Sequence, residues 1–500
     1  MPPDLQDWLA EDHLARFVGE VIDTLNLDAI MQVYAKPSRG GPPAYHPRLM
    51  LRLIIYGYTV AVCSSRRIEQ ATFERIDFRV LAADQHPDHD SIAAFRKLHL
   101  RAIADLFLQV LLICHQAGMV KLDHVALDGT KLMANAAKGN TRSAKSLLAE
   151  EKKLQQEIQE RLRQQVGRAL EEADRIDAEE DALYGSGETG AKMPEELHDP
   201  KKRLAFIQEA VANLRQQAKE QAEQEAADGQ RKADEHEAQK KRGRKPAVPD
   251  AAQIELELLD SHKLRTNLTD PESRLMRDGA TKAILQGYNA QAVVDTRFQI
   301  IVAADVTDEA NDKQQLVAMG VQVERNLGVK PRQLSADTGY FSEAQVTDER
   351  LAGIDLLVPP DRACTQSSTD PEACRKLDPE STGSLVWYNE PPTPSQTMRA
   401  KLTTPQGRDA YRLRGMTVEP VFGQIKEGRG LRRFLLRGLS HVQDEWRLMC
   451  LGHNLLKLYR NRASLDHRTN LTDHKTARCA FAAPERPMRR RQTAVQLAFA

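Results

Sequence analysis

Gly287-Tyr-Asn-Ala-Gln-Ala-Val-Val294 and Phe298-Gln-Ile-Ile-Val-Ala-Ala-Asp305, joined by Asp295-Thr296-Arg297, decide the fold class. Both runs read as strands, and a three-residue polar link between them reads as a β-hairpin. Upstream, His124-Val-Ala-Leu-Asp128-Gly-Thr130 is a short β-prone run ending in a carboxylate and a turn. Downstream, the pattern predicts an amphipathic helix near 311–327, a strand Gln333-Leu-Ser-Ala-Asp337, a helix near 342–351 and a strand Ile354-Asp-Leu-Leu-Val358. One strand, a hairpin, then helix-strand-helix-strand describes an α/β layered domain.

The flanks differ in character. Residues 12–120 read as a helical domain, with apolar residues at helical spacing in Leu49-Met-Leu-Arg-Leu-Ile-Ile-Tyr-Gly-Tyr58 and Ile103-Ala-Asp-Leu-Phe-Leu-Gln-Val-Leu-Leu-Ile113. Asp90-Ser91 stands as a helix N-cap before Ile92. Arg48, Arg52, Arg66, Arg67 and Arg96 on these helices could contact a duplex or be ordinary solvated arginines. Between about 141 and 255, Leu147, Leu154, Ile158, Leu162, Val166 and Leu170, then Leu204, Ile207, Val211 and Leu214, recur at spacings of three, four and seven. This predicts an inserted antiparallel helical hairpin or coiled coil. Residues 360–400 read as a loop and 405–460 as helices.

Composition bounds the function classes. The 500 residues suffice for two or three domains. Charge is balanced overall, 71 basic against 71 acidic, but Arg399 to Arg491 carries 21 basic and only 8 acidic residues, the footprint of a phosphate-backbone binder. Residues 141–240 lean the other way, with 23 acidic and 17 basic. Cys63, Cys114, Cys364, Cys374, Cys450 and Cys479 form no C-x-x-C pair, which fits free thiols rather than a disulfide framework or a zinc finger. The N-terminus is acidic where a signal peptide is basic, and no uninterrupted apolar run approaches membrane-spanning length. A soluble intracellular protein is expected.

Three carboxylates sit where such a domain brings its sheet and a following helix together: Asp128 and Asp337 at strand ends, and Glu419 in Tyr411-Arg-Leu-Arg-Gly-Met-Thr-Val-Glu-Pro-Val-Phe-Gly-Gln-Ile-Lys426. Strand-end carboxylates point into the crevice where open α/β sheets bind ligands. Hard oxygen ligands of this kind hold divalent ions for in-line attack on a phosphodiester. Each alone is weak, because an Asp after a strand is usually a turn former and a helical Glu usually a solvated face.

The element order is similar to the ribonuclease H-like arrangement, and the chain resembles the DDE transposases of bacterial insertion sequences, in particular the group numbered eleven-eighty-two. The resemblance runs through Pro87-Asp-His-Asp-Ser-Ile-Ala-Ala-Phe-Arg96, Val125-Ala-Leu-Asp-Gly-Thr-Lys131, Asn267-Leu-Thr-Asp-Pro-Glu-Ser-Arg-Leu-Met276, Gly287-Tyr-Asn-Ala-Gln291, Ser335-Ala-Asp-Thr-Gly-Tyr-Phe-Ser342, Val418-Glu-Pro-Val-Phe-Gly-Gln-Ile-Lys426 and Leu436-Arg-Gly-Leu439. It implies that Asp128, Asp337 and Glu419 are a catalytic triad holding magnesium or manganese, two ions in all. Tyr411, Arg414, Glu419 and Lys426 resemble a Tyr-Arg-Glu-Lys signature whose basic members contact DNA, with Arg412 as an alternative to Arg414. Glu427 is the nearby rival for the third acid but lacks the Val-Glu-Pro-Val-Phe-Gly context. The implied organisation is an N-terminal helical DNA-binding domain (1–120), a ribonuclease H-like catalytic domain (121–140 and 256–460), a coiled-coil-like insertion (141–255) and a basic tail (461–500). The implied partners are double-stranded DNA, as terminal repeats and as target, and a second copy in a synaptic complex. No membrane is implied, and the setting is the bacterial cytoplasm at the nucleoid.

Arg429, Arg432, Arg433 and Arg437, with few acids to balance them, are candidate phosphate contacts. Arg242 and Arg244 lie in Lys240-Lys-Arg-Gly-Arg-Lys-Pro246, which reads as a charged linker or as an arm for a narrow minor groove. Gly185-Ser-Gly-Glu-Thr-Gly190 matches a dinucleotide fingerprint by letter but lies between helices, so it reads as a loop. His86-Pro-Asp-His89-Asp90 reads as a cap and turn rather than a metal site. Two rival functions stay open: an inactive transposase-derived DNA binder, and a metal-dependent nuclease without strand transfer.

Overall fold

The computed structural model describes residues 5–34, 45–153, 155–156, 200–238, 250–260, 265–279, 281–361 and 392–466. By packing, these fall into two units, one drawn from residues 1–120 and 451–500, the other from 121–450.

The first unit is helical. Helices Leu14–Thr24, Pro47–Thr59, Ser65–Glu74, Ile76–Leu81 and His89–Gln116 bury Ile22, Leu51, Tyr56, Tyr58, Phe78 and Ile103 in a common core. His89–Gln116 is long and apolar enough to cross a membrane by length and composition, yet Ile92, Leu100, Ile103, Val110 and Leu111 are buried within the unit. That helix starts earlier than Asp90-Ser91 suggested, because Asp88 accepts the Ser91 N–H at 2.8 Å and caps it. His89 Nδ1 meets Glu69 at 2.8 Å and His86 stacks on Phe73, so the histidine-rich stretch forms a cap and turn. Arg48 and Arg52 both pair with Asp23. Arg96 is buried and donates to the Cys63 carbonyl at 2.9 Å, which makes it a core residue, whereas Arg66 and Arg67 are exposed.

The second unit is built on a six-stranded sheet. Its strands are β1 (Val125–Met133), β4 (Arg274–Arg277), β5 (Ile284–Asp295), β6 (Ile301–Thr307), β7 (Gln333–Ala336) and β8 (Asp355–Leu357), while β2 (Thr141–Ser143) and β3 (Arg265–Asn267) form a separate ribbon. β5 is antiparallel to β1 over nine pairs, Val125↔Asp295 to Met133↔Gly287, and takes β4 and β6 in succession on its other edge. β7 and β8 continue parallel to β1 on the far side. The hairpin, the helix (Gln315–Leu327) and the later strands fall where the hydrophobic pattern predicts; β4 was not anticipated.

Three expectations need correction. Asp128 does not end its strand, because pairing with β5 carries β1 on to Met133. Pro394–Thr403, expected as loop, is a helix, started by a capping box between Thr393 and Gln396 with Pro394 in the first turn. Residues 429–438, expected as helix, have no regular structure, and 432–434 run beside the end of β1: Met133 donates to the Arg432 carbonyl at 3.1 Å and accepts from Phe434 at 2.9 Å.

Between β2 and β3 the chain leaves the sheet and returns. Helical residues 144–153, the helix Pro200–Ala238 and the helix Ala251–Asp260 are described there. Ala144, Leu147, Ile207, Ala210, Val211 and Leu214 form an apolar cluster of their own, flanked by Leu148, Leu204, Leu259 and Leu268. Leu154, Ile158, Leu162, Val166, Leu170, Gly185–Gly190, Arg242, Arg244, Cys364, Cys374 and Cys479 lie outside the described residues.

At Gly287 the two longest strands touch so closely that an added Cβ would lie 2.1 Å from the Leu132 carbonyl oxygen. Gly287→Ala must therefore separate β1 from β5. The expected cost is about 1–3 kcal/mol, read as a lowered melting temperature in a thermal unfolding experiment.

Candidate active site

Parallel pairing sets the first two acids side by side. The last β1–β7 pair is Leu127↔Ala336, so Asp128 and Asp337 are the next residues on neighbouring strands. β7 stops there: Asp337 turns to cap the 3-10 turn Thr338–Tyr340, accepting the Thr338 N–H at 2.7 Å. Asp128 is largely buried and accepts the Gly129 N–H at 2.8 Å, while Asp337 and Glu419 are exposed.

Glu419 arrives on the helix Pro405–Gly423, capped by Thr404 with Pro405 in its first turn. Arg414, one and a half turns before it, is buried and meets all three acids. Its guanidinium lies 3.2 Å from Asp128 Oδ2, 3.8 Å from Asp337 Oδ2 and 3.6 Å from Glu419 Oε1. Arg412, the other candidate, is exposed and meets Asp409 at 4.0 Å. Tyr411 is half-buried beside this cluster. Burial pushes its phenol up to about 12, with Arg414 opposing and Asp337, Asp128 and Glu419 adding.

Pro420 sits inside the helix, which ends in the π-helical turn Gln424–Gly428 carrying Lys426. Such turns re-aim side chains at functional positions. Lys426 Nζ reaches Thr130 Oγ1 at 3.2 Å and the Lys131 carbonyl at 3.4 Å, and lies 3.8 Å from Asp278. Glu427 pairs with Arg432, whereas Glu419 meets Arg414.

The arginines that follow divide. Arg432 and Arg433 are exposed and, with Lys131, Lys138, Lys426, Asp278 and Glu427, line an open cleft of 510 Å³. Arg437 is exposed and donates to the Asn135 carbonyl at 3.0 Å. Arg429 is turned inward, where it donates to the Met449 carbonyl at 3.2 Å. That placement suits a structural tie better than the phosphate contact expected of it.

Several residues that frame the site were not singled out from the sequence. Asp312 accepts from Asn289 at 2.6 Å and Gln291 at 2.8 Å, pairs with Lys131 at 3.7 Å and lies against Gly129, where a Cβ would meet its carboxylate at 3.0 Å. Gln291 also accepts from the Tyr340 hydroxyl, and its backbone carbonyl accepts the Trp446 indole N–H at 2.9 Å. Buried Glu445 accepts the N–H groups of Leu435 and Leu436 at 3.0–3.1 Å, which holds the arginine-bearing segment. Asp270 and Glu272 accept those of Gly438 and Leu439. Sequence offers no sign of these roles beyond the Asn267–Met276 and Gly287–Gln291 motifs, which hold Asp270, Glu272, Asn289 and Gln291.

Residues 3–98 match the family described as transposase domain (DUF772), and residues 360–459, with Tyr411, Arg414, Glu419 and Lys426 among them, match the family described as transposase DDE domain. The two matches together indicate an insertion-sequence DDE transposase. No curated protein and no solved structure matches it. The DDE match implies a ribonuclease H-like fold for the mixed α/β unit, DNA as partner, DNA cleavage as activity and dependence on a divalent metal.

The donor set suits a hard cation: three carboxylates, one of them desolvated. As they stand, the acids surround a guanidinium, and among the described residues no three His, Cys, Asp or Glu side chains form a ready metal-binding group. The transposase's strain is visible at Asp128, whose carboxyl is pushed up to about 6. Burial is the chief cause, Arg414 and the Gly129 N–H oppose it, and Asp337 and Asp312 add to it.

The sign of the consequence follows by linkage. A raised folded-state pKa gives stability that is present below the ordinary value of 3.8 and lost as pH rises through about 6. In metal-free buffer Asp128→Asn should therefore melt higher than wild type at pH 7.5, with the gap closing as pH falls to 4. Scanning calorimetry across that range checks it; a variant less stable at pH 7.5 contradicts the assignment.

Proposed function

We propose that the chain cuts DNA at the terminal repeats of its element and joins the freed 3′-hydroxyl to target DNA, with Asp128, Asp337 and Glu419 as the catalytic acids. The observation that carries this reading is the convergence of three acids, from two neighbouring strands and one helix, on a single guanidinium. Magnesium or manganese, two ions bound by these acids, would supply activation of the attacking oxygen and stabilisation of the leaving one. The chain's own residues do the rest. Asp128 is fixed by its strand, Asp337 by its turn and Glu419 by its helix, so the acids are positioned before DNA arrives. Lys426, Arg432, Arg433 and Arg437 line one side of the site and pair with backbone phosphates, placing a strand across it. Tyr411 and Arg414 stand at the acids themselves.

Within this reading the helical residues 1–120 bind DNA and 121–140 with 256–460 form the catalytic domain. The insertion 141–255 is a coiled-coil-like element, the basic tail 461–500 adds affinity, and Arg242 and Arg244 contact the duplex. Two ends must be paired, so the working form is a dimer in a synaptic complex, at the nucleoid of a bacterial cytoplasm. The motifs from Pro87 to Leu439 support placement in the group numbered eleven-eighty-two.

The test is a cleavage and strand-transfer assay on DNA carrying the element's ends, with magnesium. Asp128→Asn, Asp337→Asn and Glu419→Gln should each remove several kcal/mol of transition-state stabilisation, on the order of a thousandfold in rate, while retaining end binding in a gel-shift assay. Glu427→Gln should cleave like wild type. Full activity in any of the three acid variants would reject the triad, and cleavage without joined products would make the enzyme a nuclease.

A further inference from the structure

We propose that Arg414 is an exchangeable counter-ion: its guanidinium and the divalent cation compete for the same carboxylates, so that cation entry releases Arg414 from them. This rests on the metal-binding reading of the triad given above.

The geometry supports exchange over a fixed ion pair. An arginine has five N–H donors in a planar fork, and a structural arginine uses them in directed bonds. Arg414 is buried, yet it makes one hydrogen bond to the acids, to Asp128 at 3.2 Å. Its approaches to Glu419 at 3.6 Å and Asp337 at 3.8 Å are charge contacts longer than hydrogen bonds, and its Nε is buried without a partner. The group is held by the summed field of three acids rather than by fitted geometry. Arg75 in the first unit shows the alternative, with two hydrogen bonds at 3.1 and 2.5 Å to one carboxylate.

Position makes competition unavoidable. The guanidinium touches an oxygen of each acid, so a cation bound by Asp128, Asp337 and Glu419 would meet a like charge at its own ligands. Two positive charges that share ligands each weaken the binding of the other, and by reciprocity the penalty is the same in both directions. A released Arg414 would stand beside the cation as a free guanidinium at the point where a phosphate must lie, so one residue would balance the acids before loading and meet phosphate after it.

The experiment measures Mn2+ binding to the metal-free full-length protein by calorimetric titration, and melting temperature with and without saturating Mn2+. The proteins are wild type, Arg414→Gln, Arg414→Lys and Asp128→Asn. Arg414→Gln should bind Mn2+ more tightly on the order of tenfold, melt below wild type when metal-free, and recover most of that deficit when saturated. Arg414→Lys, which keeps the charge, should bind closer to wild type. Unchanged Mn2+ affinity in Arg414→Gln, or a melting deficit of equal size with and without Mn2+, makes Arg414 a fixed structural pair and overturns the proposal. The metal reading fails separately: wild type and Arg414→Gln would both leave Mn2+ unbound, or Asp128→Asn would bind it as wild type does.

Discussion

β1 is paired along nine residues on one side and along three on the other. Backbone donors and acceptors on an unpaired strand edge must find other partners, and the site is assembled from those partners. The bare edge begins at Asp128, where Asp337 faces it from the end of β7. Two residues on, Lys426 reaches Thr130 and the Lys131 carbonyl. At Met133 the segment 432–434 closes the edge with backbone bonds in both directions. At about 3.4 Å per residue, acids and arginines are spread over roughly 17 Å of one strand. A single strand of B-form DNA passes about five phosphates over that distance.

This layout is useful only if the basic side is held, and the holding is done by three acids, two of them buried. Glu445 takes the Leu435 and Leu436 N–H groups, and Asp270 and Glu272 take those of Gly438 and Leu439. Asp270 also accepts from Tyr288 on β5 at 2.8 Å, which ties the arginine segment to the same strand that positions Asp128. Arg432 and Arg433 can then project from a segment without regular structure. Their neighbours are fixed by charge-assisted bonds, each stronger than a neutral one.

Alternation and turn chemistry made the sheet legible: the hairpin through Asp295, the helix before Gln333 and the parallel strands follow from periodicity of two and of 3.6. Asp128-Gly129 was misread as a strand end because Asp-Gly is ordinarily a turn pair. Here Gly129 serves close packing, since Gln291, Asn289 and Asp312 occupy the space a Cβ would need. Local sequence does not contain that information; it resides in the pairing with β5, more than 150 residues away. The same applies to Asp312 and Glu445. Each is an acid on or before a helix with nothing local to separate it from a solvated residue. The insertion was legible as helices because Leu204, Ile207, Val211 and Leu214 share one face, and its short cluster with Leu147 could not be read from either helix alone.

Two buried aspartates show why the acid cluster differs from ordinary polar packing. Asp77 in the helical unit accepts from the Tyr56 hydroxyl at 2.7 Å, from Arg75 at 3.1 and 2.5 Å and from the Phe78 N–H at 3.0 Å; burial raises its pKa, but these bonds overcome it and the carboxyl titrates below its ordinary range. Asp128 has one N–H and one guanidinium contact against two neighbouring acids, and its shift has the opposite sign. A buried charge that is fully bonded rigidifies a core, whereas one left short of partners destabilises the free protein. The neighbouring strand β5 carries the satisfied arrangement: the Asp295 carboxylate accepts from Lys121, Leu122 and Arg297. The chain can satisfy a buried aspartate where it needs a joint; on the proposed reading, the shortfall at Asp128 is what the site would present to an incoming cation.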